Sequence, residues 1–230
     1  MDKDTLSQMD DSDEFAKFFT QKEEPKILIT TTRRVHVPTY QFAEELADLF
    51  PTAEYRKRPS NALVAEVVKA AVEHSFTHLI IVNESRKETN SLSVIKLPEG
   101  PTAIFQLTSI KLSKQIHNHG RSSAHTPELI LNNFVTKLGH RIGRLFVSLF
   151  PHVPEFTGRQ VVTFHNQRDF IFVRRHRYIF EGEKRVKMQE IGPQFTLKLH
   201  KIVKATHGLL TANVEYEWKP HAIENKKFAL

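Results

Sequence analysis

The sequence predicts a mixed α/β fold made of two pseudo-symmetric α/β halves. Three observations carry that reading. From Lys26 onward short β-rich runs alternate with amphipathic helical stripes. A helix motif ending near residue 50 returns at an offset of 100 residues. A Gly-Pro turn feeding a strand near residue 100 returns at an offset of 92 residues.

In chain order, Lys26–Thr31 (KILITT) is a β-rich run and Val37-Pro38-Thr39 marks a turn. Phe42, Ala43, Leu46, Leu49 and Phe50 then share one face of a helix that stops at Pro51. Ala53–Arg56 makes a short strand, residues 62–72 a second helix, and His78–Asn83 a buried strand. Ser91–Lys96 and Thr102–Ile110 follow as strands around the Pro98-Glu99-Gly100-Pro101 turn. Thr126-Pro127-Glu128 has the grammar of a helix start: an N-cap, a proline at the first helical position and an acid at the positive end of the dipole. Residues 159–180 read as two strands joined by a tight turn at Asn166–Asp169, with Phe170–Val173 buried on both faces.

The repeat is visible in the letters. Phe42-Ala43-Glu44-Glu45-Leu46-Ala47-Asp48-Leu49-Phe50-Pro51 aligns with Ile142-Gly143-Arg144-Leu145-Phe146-Val147-Ser148-Leu149-Phe150-Pro151, and Gly100-Pro101-Thr102-Ala103-Ile104-Phe105-Gln106-Leu107 with Gly192-Pro193-Gln194-Phe195-Thr196-Leu197-Lys198-Leu199. Both copies put apolar residues at the same positions, so both predict the same inner face. Leu46, Leu49, Phe50, Phe146, Leu149 and Phe150 are therefore expected in the core. The halves are placed at 26–112 and 126–204, joined by a polar linker at 113–125 within a domain of 26–218. An acidic leader (1–25) is expected to be disordered apart from a short helix around Glu14–Thr20, and 219–230 forms a tail.

Composition narrows the function. The chain has 230 residues, 40% hydrophobic and 26% charged, enough for a real core. No run approaches the roughly 18 apolar residues of a membrane span, and the acidic N-terminus does not resemble a secretory or transit signal. The sequence reads as soluble and intracellular. With no cysteine, thiolate zinc sites, iron–sulfur clusters and cysteine nucleophiles drop out. His117, His119 and His125 lie in the linker without a cysteine or nearby carboxylate to complete a tetrahedral set, so no metal is expected. No Gly-rich phosphate loop or nucleophile elbow occurs. Neither catalysis nor a cofactor is expected.

Charge is the stronger signal. Residues 1–24 hold eight acids and three bases, a net of −5, which leaves +12 on residues 25–230 of a chain whose total is +7. Such a body favours polyanions. Arg174, Arg175, His176 and Arg177 put positive charge on both faces of one strand, which must emerge at a surface there; Arg159 and Arg168 lie at the ends of the preceding strand. Arg141 and Arg144 occupy the outer face of the second-half helix, where its first-half match shows Gln41, Glu44, Glu45 and Asp48. Arg33, Arg34, Arg56, Lys57 and Arg58 lie at strand ends of the first half. All twelve basic residues are candidate RNA contacts. Internal pairing of the arginines is the competing reading.

These residues carry a resemblance. Pro127-Glu128-Leu129-Ile130-Leu131-Asn132-Asn133-Phe134, Leu138-Gly139-His140-Arg141-Ile142-Gly143-Arg144, the run Phe164-His165-Asn166-Gln167-Arg168-Asp169, His176-Arg177-Tyr178-Ile179-Phe180 and the Gly192-Pro193 strand are similar to the Brix domain of eukaryotic ribosome-biogenesis factors. Ile27-Leu28-Ile29-Thr30-Thr31 and Gly100-Pro101-Thr102-Ala103 also fit, whereas Thr32-Arg33-Arg34-Val35-His36-Val37-Pro38 differs from the usual start of the family's first motif. The resemblance implies two halves like anticodon-binding domains of class II tRNA synthetases. It further implies a non-catalytic nucleolar factor that binds pre-ribosomal RNA and assists large-subunit maturation, with another large-subunit assembly factor bound through one half. A protein-interaction scaffold and a paralogue of the small-subunit processome remain as alternatives.

Overall fold

The computed structural model describes residues 13–182, 185–206 and 213–219. The first twelve residues of the acidic leader and the tail from residue 220 lie outside the described residues. The first half runs β1 (Ile27–Thr31), α2 (Val37–Leu49), β2 (Ala53–Tyr55), α3 (Val64–Glu73), β3 (His78–Ser85), β4 (Glu88–Lys96) and β5 (Thr102–Lys111), preceded by the short α1 (Ala16–Phe19). The second runs β6 (Glu128–Asn132), α4 (Lys137–Val147), β7 (Gln160–Gln167), β8 (Phe170–Glu181), β9 (Arg185–Glu190) and β10 (Gln194–Val203), followed by β11 (Val214–Glu217).

The eleven strands of the described residues form one sheet in the order β2-β1-β3-β4-β5-β10-β8-β7-β6, with β9 on β8 and β11 on β10. In each half two strands run parallel (β1 with β3, β6 with β7) and the next two add antiparallel. The halves join through antiparallel β5 and β10, where Gln106 faces Lys198, Leu107 faces Leu197 and Phe105 faces Leu199. An offset of 92 equates Gln106 with Lys198, and it exchanges the two flanking pairs. That is the register a local two-fold axis produces. Phe50 and Phe150, equated by the other match, touch with ring centroids 5.2 Å apart.

Periodicity explains the layers. Helices α2 and α4 cover one face, where Leu46, Leu49, Phe50, Phe146, Leu149 and Phe150 are all buried as expected, and Phe146 stacks on Phe164 of β7 at 4.4 Å. Helix α3 covers the opposite face of the first half only, over Leu28, Leu79, Ile81 and Ile95. Strand β1 is consequently buried along its whole length, its two threonines included. Both strand pairs β3–β4 and β7–β8 close with a two-residue turn at positive φ, Arg86-Lys87 and Arg168-Asp169, the geometry of a tight hairpin. Gly100 and Gly192 sit at φ +105° and +85°, and a Cβ there would meet Ala205 at 2.8 Å and Ser113 at 2.7 Å.

Five expectations are corrected. Thr126-Pro127-Glu128 opens no helix: residues 128–132 form β6, because Leu129 and Leu131 alternate toward the core and pair in parallel with β7. The helix instead begins after Thr136, whose hydroxyl accepts the Gly139 N–H at 2.9 Å. Val37-Pro38 lies inside α2, since a proline is tolerated in a first helical turn. The second half is not a full copy: residues 148–159 contain no equivalent of β2 or α3, so among the described residues no helix covers one face of its sheet. Phe170 and Phe172 face that uncovered side, and only Ile171 and Val173 point into the core. The short helix expected around Glu14–Thr20 is present as α1, but the leader around it is packed from Asp13 rather than disordered, with Phe15 and Phe18 both buried to 1% exposure.

Candidate nucleic-acid interface

The uncovered face of the second half is built by strand alternation. On β8 the residues opposite in parity to Ile171 and Val173 are Phe170, Phe172, Arg174 and His176. On β10 Lys198 lies across from Phe170 and Thr196 from Phe172, and on β7 His165 lies across from Phe172. Lys198 Nζ stands 4.9 Å over the Phe170 ring and 4.1 Å over Trp218, which in turn lies 6.2 Å from the His200 ring. Arg174 Nε reaches Glu190 at only 3.7 Å, while its Nη1 donates to the Val173 carbonyl at 2.8 Å. Arg168 is exposed at the hairpin tip. Aromatic rings beside cations on an open sheet give bases something to stack on and phosphates something to pair with.

Beyond Tyr178, whose N–H donates to the Arg159 carbonyl at 2.9 Å, β8 and β9 leave the sheet as a two-stranded ribbon. Tyr178 pairs with Met188 and Phe180 with Val186 on one side, and Phe180 is 64% exposed. The other side carries Arg177, Arg185 and Lys187, the last bonded to Glu181 at 2.7 Å. Tyr178 also donates its hydroxyl to Glu128, anchoring the ribbon's base.

The twelve predicted basic residues fall into three groups. Arg159, Arg168, Arg174 and Arg177 lie in the second half at or near the surface. Arg33, Arg34, Arg56 and Lys57 are exposed in the first half around the ends of β1 and β2, at the far edge of the sheet. The remaining four are paired within the protein, three of them buried and Arg141 partly buried. Arg144 is 7% exposed and clasps Asp13 through Nε at 2.5 Å and Nη2 at 2.6 Å, with Phe19 stacked 4.0 Å from its guanidinium. Arg141 binds Glu14 at 2.7 Å and Glu215 at 2.5 Å; burial pushes its pKa down, but the two carboxylates outweigh burial and raise it. The outer face of α4 is therefore covered by the N-terminal segment.

Arg175 is 2% exposed; it donates to Gln160 at 2.7 Å and to the Asp48 carbonyl at 2.8 Å, and burial lowers its pKa. Its parity is that of Ile171 and Val173, so the strand turns it inward and it fastens β8 to the end of α2. Arg58 is 8% exposed and donates to the Ala62 carbonyl through Nε and Nη2; burial and then the nearby Arg33 lower its pKa. These four residues hold structure together, and the competing reading of internal pairing applies to them.

Sequence reasoning did not single out Lys198, His200 or Trp218. The alternation Phe195, Leu197, Leu199 against Lys198 and His200 is the signal that finds the first two, and Trp218 is placed only by β11 folding back on β10. The Phe164–Asp169 run is partly architectural. Phe164 is core, and Asn166 and Asn133 each donate from the side-chain amide to the other's backbone carbonyl, at 3.0 and 3.2 Å. Among the described residues no group of three or more His, Cys, Asp or Glu side chains is placed to hold a metal ion, and no helix is long and apolar enough to cross a membrane.

Comparison with known proteins agrees with this architecture. The Brix domain profile matches residues 9–201. Ribosome production factor 1 of Mus musculus is 48% identical over 219 residues, covering 94% of this chain and 62% of the mouse protein. The protein of the same name from Saccharomyces cerevisiae is 43% identical, covering 94% of this chain and 73% of its own length. The chain thus spans about three fifths of the mouse relative. A solved probable ribosomal biogenesis protein from Aeropyrum pernix K1 has the same fold, with a TM-score of 0.56 at 18% identity over 76% of this chain and 96% of its own. Sequence, sheet order and structural likeness converge, and the chain belongs to the Brix domain family.

Proposed function

We propose that this chain is a non-catalytic ribosome assembly factor that holds pre-ribosomal RNA in the nucleolus during large-subunit maturation. The single observation that carries the RNA contact is the uncovered sheet face of the second half, where Lys198 lies between Phe170 and Trp218 and Arg174 stands on the same side. The naming of the relatives as ribosome production factors supports the setting. The apolar side of the β8–β9 ribbon, with Tyr178, Phe180, Val186 and Met188, favours a protein contact as well. Its basic reverse side suits another assembly factor with acidic residues around an apolar patch.

The test is binding of pre-ribosomal RNA across a salt series. Lys198→Glu combined with Phe170→Ala weakens binding and flattens the plot of log affinity against log salt by about 0.7 for each phosphate no longer neutralised. Unchanged affinity and slope in a variant that keeps its melting temperature would overturn the proposal.

A further inference from the structure

At the opposite edge of the sheet, the first half carries a feature that the second lacks. Strand β2 is only three residues long and covers β1 at Ile27–Ile29 alone. The chain leaving it, from Arg56 to Leu63, bows away before α3 and leaves two adjoining clefts of about 420 and 460 Å³ that share Lys57 and Pro59 as a common wall. The first has an apolar floor of Leu28, Ala71 and Phe76 beneath β1 and α3. The second opens between Arg34 and Tyr40.

Cations and aromatics alternate around this edge. Lys26 Nζ stands 4.5 Å over Phe76, the Arg56 guanidinium lies 5.9 Å from the same ring, and Lys57 Nζ stands 4.6 Å over Tyr40. The acids here have other work. Glu54 binds Arg56 at 2.7 Å, and Glu66 accepts the Leu63 N–H at 2.8 Å to cap α3. Arg34 and Lys57 are exposed at the mouth of the second cleft.

We infer that these paired clefts are a second RNA site, one that takes a single strand with a base in a cleft and its phosphates on Arg34 and Lys57. A duplex hides its bases and has no use for an apolar floor, whereas an unpaired strand offers both bases and phosphates. The inference rests on the proposed RNA-binding role and adds a consequence to it. Five strands lie between β2 and β8, which at roughly 4.8 Å per strand puts the two sites about 30 Å apart. The protein then holds two RNA segments in fixed relation through one rigid sheet, tethering as well as binding.

The experiment is a titration of the full chain with a fluorescently labelled six-nucleotide single-stranded RNA at low salt, reading stoichiometry and salt slope. Wild type takes two equivalents. Arg34→Glu with Lys57→Glu takes one, with the altered site weakened at least about tenfold and the salt slope lower by about 1.4 for its two phosphates. Lys198→Glu with Phe170→Ala takes the other one. Arg34→Gln with Lys57→Gln, together with thermal melts, guards against a folding artefact. One equivalent on wild type, abolished by the second-half variant and untouched by the first-half variants, overturns the second site. Displacement of the RNA from the second-half variant by an equal concentration of a glutamate-rich peptide also overturns it, in favour of a peptide site. No binding to wild type at all sinks the RNA-binding role itself, which is a distinct result.

Discussion

Helices α2 and α4 fill matching places over the shared core, yet their polar sides meet different material. On α2, Glu45 accepts from Ser113 at the start of the linker, at 2.8 Å from its N–H and 3.0 Å from its hydroxyl, and the Asp48 carbonyl accepts from Arg175. On α4, Arg141 and Arg144 are held by Glu14 and Asp13 of the N-terminal segment. In a duplicated fold the inner faces must agree because they fill one core, and Phe50 touching Phe150 shows how closely they do. The outer faces answer to whatever segment crosses them. Opposite charge on the two helices thus reflects two different internal seams, and it is a poor guide to the surface that meets RNA.

The largest effect that would break this comparison is on the segment over α4. Phe18→Ala is expected to cost about 3–5 kcal/mol in urea unfolding, as removal of a fully buried aromatic ring does. A cost below about 1 kcal/mol would show that α1 is an appendage and that α4 is an outer face after all. Arg144→Ala comes next, at about 3 kcal/mol, because it leaves the Asp13 carboxylate poorly solvated and without its cation, with only the Phe15 N–H still donating to it at 2.9 Å. A double-mutant cycle with Asp13→Asn measures the coupling directly, and near-additive effects would deny it.

A pH series sharpens the seam between the halves. His78 of β3 is fully buried against Phe18, and its Nε2 donates at 3.1 Å to the Ser148 hydroxyl, whose own hydrogen goes to the Leu145 carbonyl. Burial first, and then Lys96, lower its pKa to about 3. The unfolded chain therefore binds a proton below about pH 6.5 that the folded chain refuses, so stability falls as pH falls through that value. The decline is about 1.4 kcal/mol per unit between roughly pH 6.5 and 3. His78→Gln removes this part of the pH dependence; an unchanged profile would mean another group carries it. Smaller still, Ser113→Ala removes one hydrogen bond to Glu45 and is expected to cost about 0.5–1.5 kcal/mol. Glu44→Ala, exposed on the same helix, stays within about 0.5 kcal/mol.

The site is legible in the sequence only in part. Arg168 and Arg177 are recognisable as surface charge because they sit at a turn and on a strand leaving the core. Arg175 reads the same way beside them if a guanidinium is assumed to seek water, yet strand parity points it inward. Gln160 lies on the other arm of the same hairpin, but the Asp48 carbonyl comes from a helix end 127 residues away that the primary sequence does not bring near it.

Local pattern by itself determined the two inner faces, the hairpin at Arg168-Asp169, the Gly-Pro turns and the family, because each depends on periodicity or on a backbone angle set within a few residues. Only the tertiary structure decided that 128–132 pairs as a strand, that α3 has no partner in the second half, and that four of the twelve arginines and lysines serve inside. Those outcomes depend on which distant segments arrive alongside: β7 beside β6, and Asp13 and Glu14 across α4. A charge is buried or exposed according to its neighbours in space, and for α4 those neighbours lie over a hundred residues away in the chain.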